Sequence, residues 1–215
     1  GASLVGRRAL AAMKHVGLNV AADTLMSAAL TGVNGGLVIA VADDPGIHSS
    51  QNEQDSRVYG QFGAVPVLEP SDAQEALEFT RLAFELSERF DTPVILRTTT
   101  RLSHTRSTVA VGARSEAPPR GFVEKPQKNV MIPAHARGRH VAILQREDEL
   151  RAYLRDAPIH RWEKGKARVG VITAGTCYPY VREVLPRAAV LKLGASWPLS
   201  PELLREFCAS VERVF

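Results

Sequence analysis

Short apolar runs alternate along the chain with longer stretches in which apolar side chains return every three or four positions. A mostly parallel sheet with helices on both faces produces this alternation, because each strand is buried on two sides and reads as continuous apolar sequence. The pattern predicts strands over residues 9–13, 36–42, 65–68 and 93–98. Residues 19–30 have helical periodicity that ends at Gly32, and Gly35 with Gly36 turns the chain into the next strand. The most clearly marked helix follows residue 71. Ser71, Asp72, Ala73 and Gln74 make a capping-box pattern with Ser71 as the cap, and Ala76, Phe79, Ala83, Leu86 and Phe90 lay one apolar stripe behind it. Asp91, Thr92 and Pro93 break the helix.

From Gly112 to about Gly138 the periodicity dissolves into Pro118, Pro119, Pro126, Pro133 and scattered charge, a stretch too long for a connection inside a compact domain. We therefore expect a linker over residues 112–140 between a first domain, 1–111, and a second, 141–215. Residues 141–155 read as a helix, with Glu147, Asp148 and Glu149 placed to pair with Arg151 and Arg155. Strands at 169–172 and 189–193 follow, with a turn at 173–176 and a helix to about Leu185 between them. Ser200 caps a closing helix that has Pro201 in its first position. Two strands leave this second unit incomplete.

At 215 residues, 45% apolar and 23% charged, with a net charge of +4, the composition is that of an ordinary soluble chain with a real core. The charge is unevenly spread. Residues 1–111 carry 9 Lys and Arg against 12 Asp and Glu, and residues 112–215 carry 18 against 11. Few aromatics interleave the basic stretch and no nucleic-acid reader motif is present, so a solvated linker or an acidic neighbouring chain is expected rather than nucleic acid. Cys177 and Cys208 are the only cysteines and have no CxxC spacing, which points to a reducing compartment and excludes a cysteine-rich metal site in this sequence. No apolar run approaches the ~20 residues of a membrane span, so the chain is expected to be cytoplasmic.

Ligands of open parallel sheets collect beyond the carboxyl ends of the strands, where loops and helix N-termini present unpaired N–H groups. Three loops qualify. Lys14, His15 and Asn19 follow the first strand and combine a donor, an imidazole and an amide; Asn19 as a plain helix cap beside a solvated Lys14 is the competing reading. After the second strand, Asp43 and Asp44 are possible Mg²⁺ ligands, although Pro45 and Gly46 favour a turn that Asp44 stabilises locally. The run from His48 to Arg57 then has ten residues without an apolar one and is weighted to Ser, Gln and Asn, which bind without titrating. A solvated loop leading into a helix with its buried face near Val58 and Phe62 competes with a binding wall there. Arg57 is either a carboxylate clamp or the partner of Glu53. Residues 98–104 form the third loop. His135 and His140 have no metal-ligand partners in sequence and read as structural.

Two stretches, MKHVGLNVAAD (13–23) and VADDPGIHSSQNEQD (41–55), resemble the alpha subunit of indolepyruvate ferredoxin oxidoreductases, within the thiamine-diphosphate-dependent 2-oxoacid:ferredoxin oxidoreductase superfamily. The likeness continues through LEPS (68–71), LRTTTR (96–101) with Ser103 and His104, VMIP (130–133) and LKLG (191–194). It implies a sheet of the thiamine pyrimidine-binding type over 1–111, then part of a transketolase C-terminal-like α/β domain. It implies oxidative decarboxylation of arylpyruvates to aryl-acetyl-CoA, with a beta subunit, ferredoxin and coenzyme A as partners. Pyruvate or 2-oxoglutarate ferredoxin oxidoreductases, and a non-catalytic interaction module, are the alternatives.

The resemblance, joined to strand-end position, implies His15 and Asn19 toward the cofactor and His48, Ser49, Ser50, Gln51 and Asn52 toward the substrate. The family's activating glutamate is expected upstream of Gly1. Its Gly-Asp-Gly motif for Mg²⁺ and diphosphate, and the cysteines for [4Fe-4S] clusters, are expected downstream of Phe215. The sequence in hand is therefore expected to be an internal fragment that binds none of these cofactors alone and has no catalytic residue of its own to assign.

Overall fold

The computed structural model describes residues 1–114, 117–166 and 168–215. The first half runs β1 (Ala9–Lys14), α1 (His15–Val20), α2 (Ala22–Thr31), β2 (Leu37–Asp43), α3 (Arg57–Gly63), β3 (Val67–Leu68), α4 (Ala73–Phe90), β4 (Val94–Thr99) and α5 (Thr100–Ser103). The second runs α6 (Pro126–Asn129), α7 (Pro133–Arg155), β5 (Arg161–Glu163), β6 (Val169–Ala174), α8 (Cys177–Val184), β7 (Ala189–Leu193), β8 (Ala195–Trp197), α9 (Pro201–Ala209) and β9 (Arg213–Val214). One sheet has the order β1-β2-β4-β3-β8 and the other β5-β7-β6-β9. β1, β2, β4 and β3 are mutually parallel, and β8 closes the first sheet antiparallel to β3. The mostly parallel α/β class expected from the pattern is the one observed, with β1, β2, β3 and β4 each within a residue or two of the expected place, while β8 is a strand the pattern does not predict.

Alternation within the apolar runs sorts the core into two faces. Ile39, Val41, Val67 and Ile95 pack with Leu18, Leu25 and Ala29 from α1 and α2. Val38, Leu68, Val94 and Leu96 face the other way onto Phe79, Ala83, Leu86 and Phe90 of α4. Leu150 and Leu154 of α7, and Ala195 of β8, join that second cluster, so one apolar core runs through both halves of the chain.

Four local expectations are corrected. The helix expected over 19–30 is two helices, α1 beginning at His15 directly after the strand, so Asn19 lies inside α1 and caps nothing. The cap of α4 is Asp72, which accepts from the Glu75 N–H at 2.8 Å. Glu75 rather than Gln74 reaches back, to the N–H and hydroxyl of Ser71, so the box is shifted by one residue. Val58 and Phe62 are exposed, and the inward face of α3 is Gly60 and Gly63. At Gly60 a Cβ would stand 2.3 Å from Val67, so only glycine lets α3 lie this close to the sheet. Finally, α7 begins at Pro133, inside the stretch expected as a linker, because proline is pre-set for a first helical turn.

A buried ion pair ties the two halves. Lys192 of β7 is fully buried and reaches Glu75 at the start of α4, lying 5.0 Å from the centre of the Phe79 ring. Burial pushes the Lys192 ammonium down from its ordinary range. Burial pushes the Glu75 carboxyl up, but hydrogen bonds from Lys192 and Ser71 outweigh it and hold the group below its ordinary value. Arg161 adds a second cation to the same carboxylate.

Removing one partner of such a pair leaves an uncompensated buried charge. Lys192→Met should lower the unfolding free energy by ~3 kcal/mol or more, and adding Glu75→Leu should recover most of it, as read by urea denaturation. Because the folded Glu75 pKa is depressed, its contribution is present above about pH 4 and is lost as pH falls through the folded value. The urea midpoint of the unmodified chain should therefore fall more steeply below about pH 4 than that of the double variant.

Candidate functional site

The parallel strands of the first sheet point their carboxyl ends at one region, and each contributes a charge there. β2 ends in Asp43, followed by Asp44, and both are buried. Arg97 lies in β4 and is only 8% exposed, while Glu69, directly after β3, is 2% exposed. The Arg97 guanidinium donates from Nε to Asp43 at 2.6 Å and from Nη1 to Glu69 at 2.6 Å, so one buried cation spans two buried anions on neighbouring strands. Asp43 also accepts from the backbone N–H of Ser56 at 3.0 Å and from its hydroxyl, which fixes the far end of the long polar loop.

Asp44 fixes the near end. Its carboxylate accepts the hydroxyls of Ser50 (2.6 Å) and Thr100 (2.7 Å) and the N–H groups of Ser49 (2.8 Å) and His48 (3.2 Å). The Ser50 hydroxyl, then the Ser49 N–H and Thr100 hydroxyl, hold the Asp44 carboxyl far below the ordinary carboxylate range. The local turn expected at Asp44, Pro45 and Gly46 is therefore present, and Asp44 spends its oxygens on it. Lys14 donates to the Ser49 carbonyl, and the fully buried His15 pairs through Nε2 with the Asn52 carbonyl at 3.0 Å.

Of the sequence-predicted residues, the structure divides the set. His15 lies beneath the loop and props it, with Nδ1 buried and without a hydrogen-bond partner among the described residues. Asn19 is exposed and donates to the Tyr59 hydroxyl at 2.8 Å. Ser50 and Asn52 serve the loop itself, Asn52 also accepting from Gln54 at 2.9 Å. The side chains of His48, Ser49 and Gln51 are exposed. Arg57 does not pair with Glu53: it forks onto Asp55, at 2.5 Å for the shortest contact, because Asp55 precedes it at the helix entrance while Glu53 turns back to accept from the Gly46 N–H. Asp55 in turn pulls the Arg57 guanidinium above its ordinary range.

Between these strand ends and the second sheet lies a cavity of ≈ 360 Å³, walled by His48, Arg57, Glu69, Arg97, Thr100 and Arg101 and closed by Thr176 and Cys177. Thr99 and Thr176 meet across it, hydroxyl to hydroxyl, at 3.1 Å. Gly175 adopts φ +54, and a Cβ there would press to 3.3 Å from the Glu69 carboxylate, so the 173–176 turn needs glycine on both counts. A neighbouring cavity of ≈ 440 Å³ shares His48, Thr100 and Arg101 and adds His104 and Thr105. A third, of ≈ 330 Å³, is lined by Glu88, which accepts from the Gly36 N–H at the start of β2; it therefore sits at the opposite end of the sheet.

Sequence reasoning passed over Glu69, Arg97, Thr176 and Cys177. For the first two a signal existed: each is a charge set directly at the end of an apolar run, where a strand would otherwise stay apolar. Thr176 and Cys177 reach the site only because the second sheet folds back onto the first, which no local pattern encodes.

The fold at TM-score 0.71 is that of the 2-oxoglutarate:ferredoxin oxidoreductase from Magnetococcus marinus with 2-oxoglutarate, coenzyme A and succinyl-CoA bound, at 17% identity, covering 100% of this chain and 46% of that one. Indolepyruvate oxidoreductase subunit IorA of Thermococcus kodakarensis is 49% identical over 97% of this chain and 34% of its own length. The subunit of the same name from Methanothermobacter thermautotrophicus is 45% identical over 99% of this chain and 36% of its own. The chain thus spans about a third of the length of the curated relatives it matches. The profile described as "Pyruvate flavodoxin/ferredoxin oxidoreductase, thiamine diP-bdg" matches residues 1–152, more than two thirds of the chain, which therefore belongs to that thiamine-diphosphate-binding family.

Proposed function

We propose that the chain is part of the alpha subunit of an enzyme that oxidatively decarboxylates indolepyruvate and other arylpyruvates to aryl-acetyl-CoA, working with a beta subunit, ferredoxin and coenzyme A in the cytoplasm. The observation that carries this is the identity of 43–49% to subunits named indolepyruvate oxidoreductase over nearly the whole chain. No helix among the described residues is long and apolar enough to cross a membrane. Residues 1–111 would hold the pyrimidine-binding core and residues 141–215 the beginning of a transketolase C-terminal-like domain, with α7 laid across the joint.

Thiamine diphosphate, when bound, supplies the electron sink on which a 2-oxoacid loses CO₂. On this chain the pyrimidine side has a fitting group in the buried Nδ1 of His15, which has no hydrogen-bond partner among the described residues, with Asn19 on the same short helix. The diphosphate side does not: among the described residues no group of three or more His, Cys, Asp or Glu could hold Mg²⁺. Mg²⁺ and the [4Fe-4S] clusters are assigned to the remainder of the full-length assembly.

The chain's own work is to orient the oxoacid. His48, Ser49 and Gln51 present side chains on a loop whose backbone is fixed by Asp44, Lys14 and His15, while Ser50 and Asn52 hold that loop in shape. A loop tied at both ends positions its free side chains with little entropy left to lose on binding. His48 and Arg101 share the strand-end cavity, and there they offer donors to the substrate carboxylate.

In the full-length enzyme assembled with its partner subunit, rates should rank indolepyruvate and phenylpyruvate above pyruvate and 2-oxoglutarate; the reverse order would assign a different oxoacid. Alanine at His48 or Gln51 should lower kcat/KM for indolepyruvate by roughly 10-fold, each removing about one hydrogen bond. Unchanged kinetics would take both out of the site. By calorimetry, the 215-residue chain alone should show no thiamine diphosphate–Mg²⁺ complex with Kd in the micromolar range.

A further inference from the structure

The strand-end cavity is walled by the guanidiniums of Arg57, Arg97 and Arg101 against Glu69 alone, so its charged lining favours an anion. The three cations are not equally free. Arg97 spans Asp43 and Glu69 at 2.6 Å each, and Arg57 forks onto Asp55. The guanidinium of Arg101 has no ion-pair or hydrogen-bond partner among the described residues, and the contact it makes is with an aromatic ring, 6.0 Å from the centre of Tyr180. Arg101 is also common to both cavities at this end of the sheet, the one of ≈ 360 Å³ and its neighbour of ≈ 440 Å³.

The ring comes from the second half of the chain. β6 ends at Ala174, the turn after it brings Thr176 against Thr99 at 3.1 Å, and α8 begins with Cys177 on the cavity wall. Tyr180 stands three residues further along α8, on the same face as Cys177. It lies outside both cavity linings and meets them through Arg101. A carboxylate in the place of this ring would occupy the N–H groups of the guanidinium. An aromatic face holds the cation through its quadrupole and leaves the N–H fork free. Arg101 is otherwise an exposed, long side chain on the four-residue helix α5, and ordering it when a ligand arrives would cost rotamer entropy. The ring orders it beforehand, which leaves less to lose on binding.

Resting on the orientation of the oxoacid by Arg101 set out above, we propose that Tyr180 is a positioning residue: it holds the Arg101 guanidinium on the cavity wall with its N–H fork free for the substrate carboxylate. The second half of the chain thereby sets the affinity of a site built by the first. No bond forms or breaks in this contact. Tyr180 acts on how firmly the carboxylate is gripped, not on the step that follows.

The test uses the full-length enzyme assembled with its partner subunit and compares Tyr180→Leu with Tyr180→Phe. The leucine variant should raise KM for indolepyruvate by roughly 2- to 5-fold, the span of an exposed cation–π contact, with kcat nearly unchanged. The phenylalanine variant keeps the ring and should keep KM. Inhibition separates a grip on the carboxylate from a general loosening of the site. Indole-3-lactate, which carries the carboxylate, should inhibit Tyr180→Leu less well by the same factor, whereas indole-3-acetone, with a methyl group in its place, should inhibit both enzymes equally. In an Arg101→Gln background Tyr180→Leu should add nothing, because the residue acts through Arg101. An unchanged KM in Tyr180→Leu overturns the proposal, as does an equal loss for the two inhibitors or a further rise in KM in the Arg101→Gln background. If the unmodified enzyme turns over pyruvate or 2-oxoglutarate in place of arylpyruvates, the arylpyruvate reading falls by itself. The same variants are then compared on the accepted oxoacid: a rise in KM confined to Tyr180→Leu supports the proposal, and an unchanged KM overturns it.

Discussion

The site depends on one guanidinium. Arg97 sits in the middle strand of three whose ends converge, and its two buried carboxylate partners come from the strands on either side. Each of the three ions would be prohibitively costly at this depth alone, so each is held in place by the requirement that the others stay. From that cluster the order spreads outward. Asp43 carries Ser56 and hence the entrance of α3, and Glu69 carries Gly194 and hence the second sheet. The polar loop between them is then spanned by two fixed points, with Asp44 closing its first half.

The charge asymmetry of the sequence finds most of its explanation inside the molecule. Basic residues beyond 112 dock on acidic or carbonyl groups of the first half: Arg120 on Glu88, Lys128 and Arg139 on Asp91, and Arg146 on the backbone carbonyls of Asp91 and Ala29. Asp91 gathers several of them because it ends α4 in a left-handed conformation, with its side chain turned onto the Val33 N–H and its two oxygens open to α6 and α7. On α7, Arg151 pairs with Glu147 and Asp148 at the spacing expected of them; the Glu147 pair is partly buried, and the Asp148 pair, open to water on the aspartate side, contributes little.

The mostly parallel sheet, the places of its first four strands and the helix stripes were legible because they follow from local periodicity. The stripe on α4 is the clearest case: Phe79, Ala83, Leu86 and Phe90 are all buried. The failures are also physical. Val58 and Phe62 looked like a core face by composition, but α3 approaches the sheet so closely that glycine had to take the inward positions. Lys192 stands as a lone charge within an apolar run, and its burial is legible only once Glu75, over a hundred residues earlier, is seen to arrive opposite it. The contact between His15 and the Asn52 carbonyl was not legible, since a backbone carbonyl does not register in a reading of side chains.

Gly194 joins β7 to β8 in a single residue, and a Cβ there would meet the Ile159 carbonyl at 2.4 Å. The chain thereby steps from one sheet to the other with no slack. β8 is short, antiparallel, and lies along the outer edge of β3. An open edge of a parallel sheet offers a row of unpaired amides and carbonyls to any passing strand, and three residues from the far half of the chain cover that row here. The second half thus also guards the first against self-association, and a cut made at the apparent boundary between them would create an aggregation-prone edge rather than two independent pieces.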